Sequence, residues 1–195
     1  ITLLTGIENK MVDGKIIDWN EVDKLFQGVD IIIAHNASFD RAFIDRFSSI
    51  SPSKVWACSI NDIDWLERGF TSSKQELLCY WHGFYFDAHR AMNDVDALIH
   101  LLTFDTGLER PLLELIKNSN KSEFIIYAEH FKYDPVKKDI LKGNKYRWNP
   151  NDKIWFKKVN LDELEHEKDW LTATIYDQVF KGRVEEIIPS NKYKL

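Results

Sequence analysis

The 195-residue sequence has only two cysteines, Cys58 and Cys79, too few for a disulfide-stapled scaffold. Both stand beside apolar residues, in Val55-Trp-Ala-Cys58 and Leu77-Leu-Cys79. We read them as buried free thiols in a reducing compartment, with a disulfide or a shared metal as the alternative. No apolar run approaches the roughly 20 residues that span a bilayer. The longest, such as Val29 to Ala34, is strand-sized. The start lacks the basic segment followed by an apolar segment that marks a secretory leader. These absences predict a cytoplasmic protein with no membrane partner. Internal repeats and low-complexity stretches are also lacking. The first residue is Ile rather than Met, so the sequence is expected to be the downstream part of a longer protein.

What is present is ordinary globular material: 44% hydrophobic and 29% charged residues, enough for one well-buried domain and a small appendage. The net charge of −5 is unevenly spread. Residues 132–158 hold nine Lys/Arg and three Asp, a net +6, which leaves −11 for the remainder. An acidic body does not grip phosphate over a broad surface. It suits carboxylates gathered around divalent cations, with the basic stretch supplying phosphate contacts.

Asp18-Trp-Asn-Glu21 predicts a capped helix with Trp19, Val22 and Phe26 on one face, ended by Gly28. Val29 to His35 predicts a strand buried on both faces. Ser38 to Phe47 predicts a helix with phenylalanines spaced at four. A short strand follows at Val55 to Cys58, then a helix start at Ser59 to Asp62. Ser73-Lys-Gln-Glu76 is a second capping box, and Gly83 closes its helix. Arg90 to Phe104 predicts an amphipathic helix with Ala91, Val95, Leu98 and Leu102 inward. This alternation predicts an α/β fold, a sheet flanked by helices, over residues 1–117. Residues 123–195 form a small α+β module. Its strands fall at Glu123 to Ala128, Lys145 to Trp148, Lys153 to Val159 and Arg183 to Ile188. Its helices run from Pro135 to Lys142 and from the Asn160 cap to about Phe180.

Two groups carry chemistry. In His35-Asn-Ala-Ser-Phe-Asp40, a buried strand ends and Asp40 follows in the first turn of a helix. That puts a carboxylate at the carboxyl edge of a strand, where open α/β sheets bind ligands. The plainer account is that Asp40 complements the helix dipole. In His89-Arg-Ala-Met-Asn-Asp94, Asp94 lies between apolar positions at the margin of a buried face. A carboxylate there needs a partner, and a metal ion would serve. The plainer account is a surface His and a solvated Asp. Phosphodiester cleavage uses two divalent cations about 4 Å apart on hard oxygen ligands, with an imidazole as proton acceptor for water.

His35-Asn-x-x-Phe-Asp40 and His89-x-x-x-x-Asp94, in this order, resemble the second and third motifs of the DnaQ-like, DEDDh-type 3′–5′ exonucleases. Thr5-Gly-Ile7 resembles the Thr/Ser-Gly-Ile segment of that family. The Trp56-Ala-Cys-Ser59 strand and the Phe86-Asp-Ala-His89 approach also fit. The resemblance covers about residues 1–104. It implies a ribonuclease H-like mixed sheet whose N-terminal strands are missing. It also implies Asp40 and Asp94 as carboxylates of a two-metal Mg²⁺ or Mn²⁺ site, and His89 as general base. Asn36 and Phe39 would shape the substrate site, and His35 is a strand-end residue rather than a ligand. The implied reaction releases nucleoside 5′-monophosphates from a single-stranded DNA or RNA 3′ end. Polymerase association is possible within the family but nothing in these residues indicates it.

The family's first motif, Asp-x-Glu, does not occur: no Asp in the chain is followed two positions later by Glu. By itself the chain is expected to be inactive, and the longer parent protein active. The competing reading is a catalytically incomplete nuclease-like fold that binds nucleic acid or protein. In the appendage, residues 141–158 interleave bases with aromatics, a pattern that stacks bases and contacts phosphates. Arg147 and Trp148 are the candidate substrate contacts there. The plainer account makes Tyr146, Trp148, Trp155 and Phe156 the core of a small module. The arrangement resembles the tail of some bacterial DnaQ-like exonucleases.

Overall fold

The computed structural model describes residues 2–104, 109–176 and 178–194. The chain is of the α/β class and divides into two compact units. One is Ile1–Asn120 with Tyr193–Leu195, the other Lys121–Lys192. Tyr193 therefore packs with the first unit, against the cluster that holds Trp56 and Cys58.

In the first unit, two one-turn helices, α1 (Thr2–Thr5) and α2 (Asn9–Val12), precede α3 (Trp19–Gln27). The Asp18 side chain caps α3 by accepting from the Asn20 and Glu21 backbone N–H groups. Strand β1 (Ile31–Ala34) leads into α4 (Ala37–Ile44), and β2 (Val55–Cys58) follows. β1 and β2 pair in parallel, Ile31 opposite Val55 and Ala34 opposite Cys58, as a strand–helix–strand unit requires. Among the described residues β1 pairs with β2 alone, and residues 2–30 contain no strand. All four β1 residues are half-buried rather than sealed on both faces, as the sequence had implied. Helices α5 (Gln75–Trp81), α6 (Ala91–Thr103) and α7 (Pro111–Ser119) complete the unit.

No helix begins at Ser59. The Asp62 carboxylate accepts the Cys58 N–H at 2.7 Å, and the Trp65 indole N–H donates to Ser59 O at 2.6 Å, which fixes a turn instead. The second capping box does not form: Lys74 occupies the N-cap of α5 without a side-chain bond. The buried face of α6 is Ala97, Leu98, Leu101 and Leu102, while Ala91 and Val95 are exposed. Packing against the α5 and α7 side, at Leu78, Cys79 and Leu115, selects this stripe. Helix α7 is an addition to the sequence reading, with Pro111 at its first position.

The core of the unit gathers Ala57, Ile63, Trp65, Leu78 and Leu101 with their neighbours. Both cysteines are buried free thiols, and burial pushes the Cys79 thiol up to about 11. Beside this core the His82 ring lies 4.5 Å from Phe104, 5.3 Å from Phe70 and 6.0 Å from His100. Neither His82 ring nitrogen reaches solvent or a hydrogen-bond partner among the described residues. Burial, and then the neighbouring His100, lower its pKa from the ordinary 6.5. The unfolded chain therefore binds this proton more readily than the fold does. The contribution of neutral His82 is complete above pH 6.5 and is lost as pH falls below it. Urea midpoints at pH 7.5 and 5.5 should show a loss of stability on acidification, and His82→Phe should make that loss smaller.

The second unit is an antiparallel sheet, β4–β5–β3–β6, with two helices. Its elements in chain order are β3 (Glu123–Ala128), α8 (Pro135–Gly143), β4 (Arg147–Asn149), β5 (Ile154–Asn160), α9 (Leu161–Thr174) and β6 (Arg183–Ile187). The Asn149 side chain shapes the β4–β5 turn by accepting from Asn151 N at 3.0 Å and Asp152 N at 3.3 Å. A reciprocal capping box, Asn160 with Glu163, opens α9. That helix ends at Thr174, short of Phe180, because Ile175 and Tyr176 turn into the core. One sheet face is sealed by Ile126, Ala128, Trp155 and Val159 against Leu141, Leu164 and Leu171. Among the described residues no helix is long and apolar enough to cross a membrane.

Candidate active site

A cleft of about 810 Å³ opens in the first unit, over β1 and between α4 and α6. Asn36, Phe39 and Asp40 line it from one side, and His89, Asp94 and Val95 from the other. The two aspartates hold equivalent stations. Each is the fourth residue of its helix, one turn in from a start that faces the cleft. Carboxylates at such positions are favoured by the helix dipole. The structure thus brings Asp40, Asp94, His89, Asn36 and Phe39 to one cleft.

Local sequence explains each placement. Asn36 takes the left-handed conformation, φ 67°, which lets the chain turn sharply from β1 into α4. Asn tolerates that region better than most residues. Its side chain caps nothing, so it is free to face the cleft. Phe39 is 75% exposed, against 50% and 53% for Phe43 and Phe47, which pack with Trp19. Arg41, the next residue after Asp40, is fully buried. It bonds the Asp45 carboxylate at 3.0 Å and the Pro52 carbonyl at 3.2 Å, and lies 5.8 Å from the Trp56 ring centre. This anchor sets the rotation of α4 and with it the direction of Asp40.

His89 has φ 64° and donates its backbone N–H to Asp94 Oδ1 at 3.1 Å. Its ring Nε2 lies 3.4 Å from Glu76 Oε1. The sequence marks Glu76 only as a capping residue, yet together with Lys74 and Gln75 it lines the cleft. Gln75 donates to the Asp94 carbonyl at 2.5 Å, which ties α5 to the start of α6. No local motif distinguishes these three from surface residues of a helix N-terminus. Gly6, in the Thr5-Gly-Ile7 segment, has φ 66°, and a side chain there would meet the Arg90 guanidinium at 3.1 Å. His35 is a strand-end residue whose Nδ1 bonds Ser59 Oγ at 2.7 Å. Burial lowers its pKa, and the Asp94 charge opposes that.

Burial raises the Asp40 pKa above its ordinary 3.8, against the opposing effect of a backbone N–H. The fold therefore holds this proton better than the unfolded chain does. Ionised Asp40 costs stability that is absent below pH 3.8 and grows as pH rises through the folded pKa. Asp40→Asn should thus raise the thermal midpoint at pH 7 and leave it nearly unchanged at acid pH.

Among the described residues no three His, Cys, Asp or Glu side chains group closely enough to hold an ion. The Asp-x-Glu carboxylates that the DnaQ resemblance requires have no counterpart in the chain. No family model matches this chain, and no curated protein or solved structure matches it. The candidate site therefore rests on its own geometry. Arg147 and Trp148 belong to the second unit, on β4.

Proposed function

We propose that the cleft is half of a 3′–5′ exonuclease site in a ribonuclease H-like fold. One observation carries this reading: Asp40 and Asp94 stand at equivalent helix positions in one cleft, which His89 also lines, its backbone N–H bonded to Asp94. Among the described residues β1 pairs on one edge only, and its Ile32 and Ile33 line the same cleft. A further strand along its other edge would deliver an Asp-x-Glu pair from outside residues 1–195. In this reading His89 accepts the proton of the attacking water, with Glu76 positioning its ring. Phe39 offers an exposed ring to the terminal base. The substrate is a DNA or RNA 3′ end and the product a nucleoside 5′-monophosphate. Mg²⁺ or Mn²⁺ belongs to the completed carboxylate set and not to Asp40 and Asp94 alone.

The test uses a 5′-labelled single strand with Mg²⁺, given to this chain and to the chain extended upstream of Ile1. We expect shortening one nucleotide at a time with the extended protein and none with residues 1–195. No shortening by the extended protein, or shortening indifferent to Asp94, would sink the reading. A second reading, a nuclease-like module that only binds, is favoured by the lack of a three-ligand group among the described residues. It expects nucleic-acid or protein binding that survives EDTA and does not need Asp40.

A further inference from the structure

The second unit presents a sheet face that its core does not use. Alternation along the strands sends Ile126, Ala128, Trp155 and Val159 to the helix side. Trp148 goes with them: it pairs across the strands with Trp155, the rings 5.4 Å apart. The opposite face carries the row Arg147, Phe156, Tyr127 and Arg183, one residue from each of the four strands. Two aromatic side chains thus stand side by side on the central strands, with an arginine on each edge strand. Neighbouring side chains in such a row are about 5 Å apart, close enough for successive bases to stack along it on rings and guanidinium planes.

The charges on this face are arranged around the rings. The Arg183 guanidinium stacks on Tyr127 at 3.8 Å from the ring centre. Glu185 holds both, accepting from Tyr127 Oη at 3.0 Å and from Arg183 at 3.2 Å. Gly182 permits this approach, since a side chain there would collide with the Tyr127 carbonyl and the Phe180 ring. Glu129 also meets Arg183, at 3.6 Å, and Glu123 is met by Lys158 at 3.5 Å and Lys192 at 3.4 Å. Each of these three acids therefore has a cationic partner. Arg147 is exposed at the β4 edge, and exposed Lys145 and Lys153 flank that strand and its turn. A protein surface of this composition suits a chain with stackable rings and a negative backbone.

We propose that the Arg147–Phe156–Tyr127–Arg183 face binds single-stranded nucleic acid, bases stacking on the Phe156 ring and on the Arg183 guanidinium stacked with Tyr127, and Arg147 meeting phosphate. The proposal is independent of the exonuclease reading, because no residue of the cleft takes part. It relocates the aromatic contact from Trp148 to Phe156 and Tyr127 and keeps Arg147.

The test is fluorescence anisotropy of labelled oligo(dT) and oligo(U) with the full 195-residue chain, in EDTA, across a salt series. We expect salt-dependent binding of at least one oligonucleotide. The oligo(dT) and oligo(U) arms show which sugar is preferred. Phe156→Leu and Tyr127→Leu should each weaken it about tenfold while the circular dichroism spectrum is unchanged. Arg147→Ala should make the slope of log Kd against log salt shallower by about 0.7. Trp148→Ala should bind as wild type. The proposal is overturned if neither oligonucleotide binds or if folded Phe156→Leu and Tyr127→Leu bind normally. Loss of binding with Asp94→Asn would place the contact in the cleft and also overturn it. So would sedimentation showing a dimer that Phe156→Leu dissociates, since the face would then be a protein interface.

Discussion

Asp94→Asn is expected to lower 3′-end shortening by the upstream-extended protein by about 10²-fold or more while leaving its thermal midpoint within a degree or two. The contrast follows from what Asp94 does in the fold. Its Oδ1 accepts the His89 N–H at 3.1 Å, and an amide oxygen accepts that bond equally well. Its carbonyl, held by Gln75, is untouched by the substitution. What Asn removes is the negative charge in the cleft. A group needed only for charge stabilisation of the reacting centre typically accounts for about 10²–10³ in rate. Asp94→Ala removes the bond as well and should lose both activity and some stability. His89→Ala should cost about 10²–10⁴-fold in the same assay, the usual range for a lost general base. Rates from a single-turnover gel series, read beside a melting curve, separate the two effects. A rate that follows the melting temperature across these variants would make Asp94 a structural residue and refute its chemical role.

Arg41→Ala should destabilise the first unit by about 3–5 kcal/mol, the range for breaking a buried ion pair. Arg41 is fully buried and its partner Asp45 is 21% exposed. Asp45 also accepts from Ser51 Oγ, which in turn accepts the Trp56 indole N–H at 3.2 Å. Truncating Arg41 leaves the Asp45 carboxylate partly desolvated without its cation, and leaves a void beside the largest fully buried ring of the unit. At 2–4 °C per kcal/mol for domains above about 150 residues, and more for smaller ones, the melting temperature should fall by roughly 10 °C. Arg41→Lys should recover little of this, because one ammonium cannot both bond Asp45 and reach the Pro52 carbonyl as the planar fork does. A midpoint within 2 °C of wild type for Arg41→Ala, measured at pH 7, would show that the network is dispensable.

Regular elements were legible where pattern and composition agreed. The run Ile31 to Ala34, the strand Val55 to Cys58 and the strand Glu123 to Ala128 are dense in β-branched or aromatic residues and bounded by turns. The Asp18 and Asn160 caps were legible because the side chain that opens the helix is local to it. Legibility stopped where a side-chain partner outside the pattern decides. Ser59 to Asp62 reads as a helix start, yet the Asp62 carboxylate bonds the Cys58 N–H and the Trp65 indole takes the Ser59 carbonyl, which holds a turn. Glu76 reads as a capping residue, yet His89, thirteen positions on, lies 3.4 Å from it.

What the sequence alone determined is the α/β class, the separation of an acidic body from a basic hairpin, and the two carboxylates with one histidine at helix starts. These follow from periodicity, capping and charge, which act within a few residues. The tertiary structure decided that Asp40 and Asp94 share a cleft with Glu76 and Lys74. It also decided that Trp148 faces the helices while Phe156 and Tyr127 share the other sheet face. A strand offers two faces and a helix a full circle, and only packing against the rest of the chain selects which side meets the core.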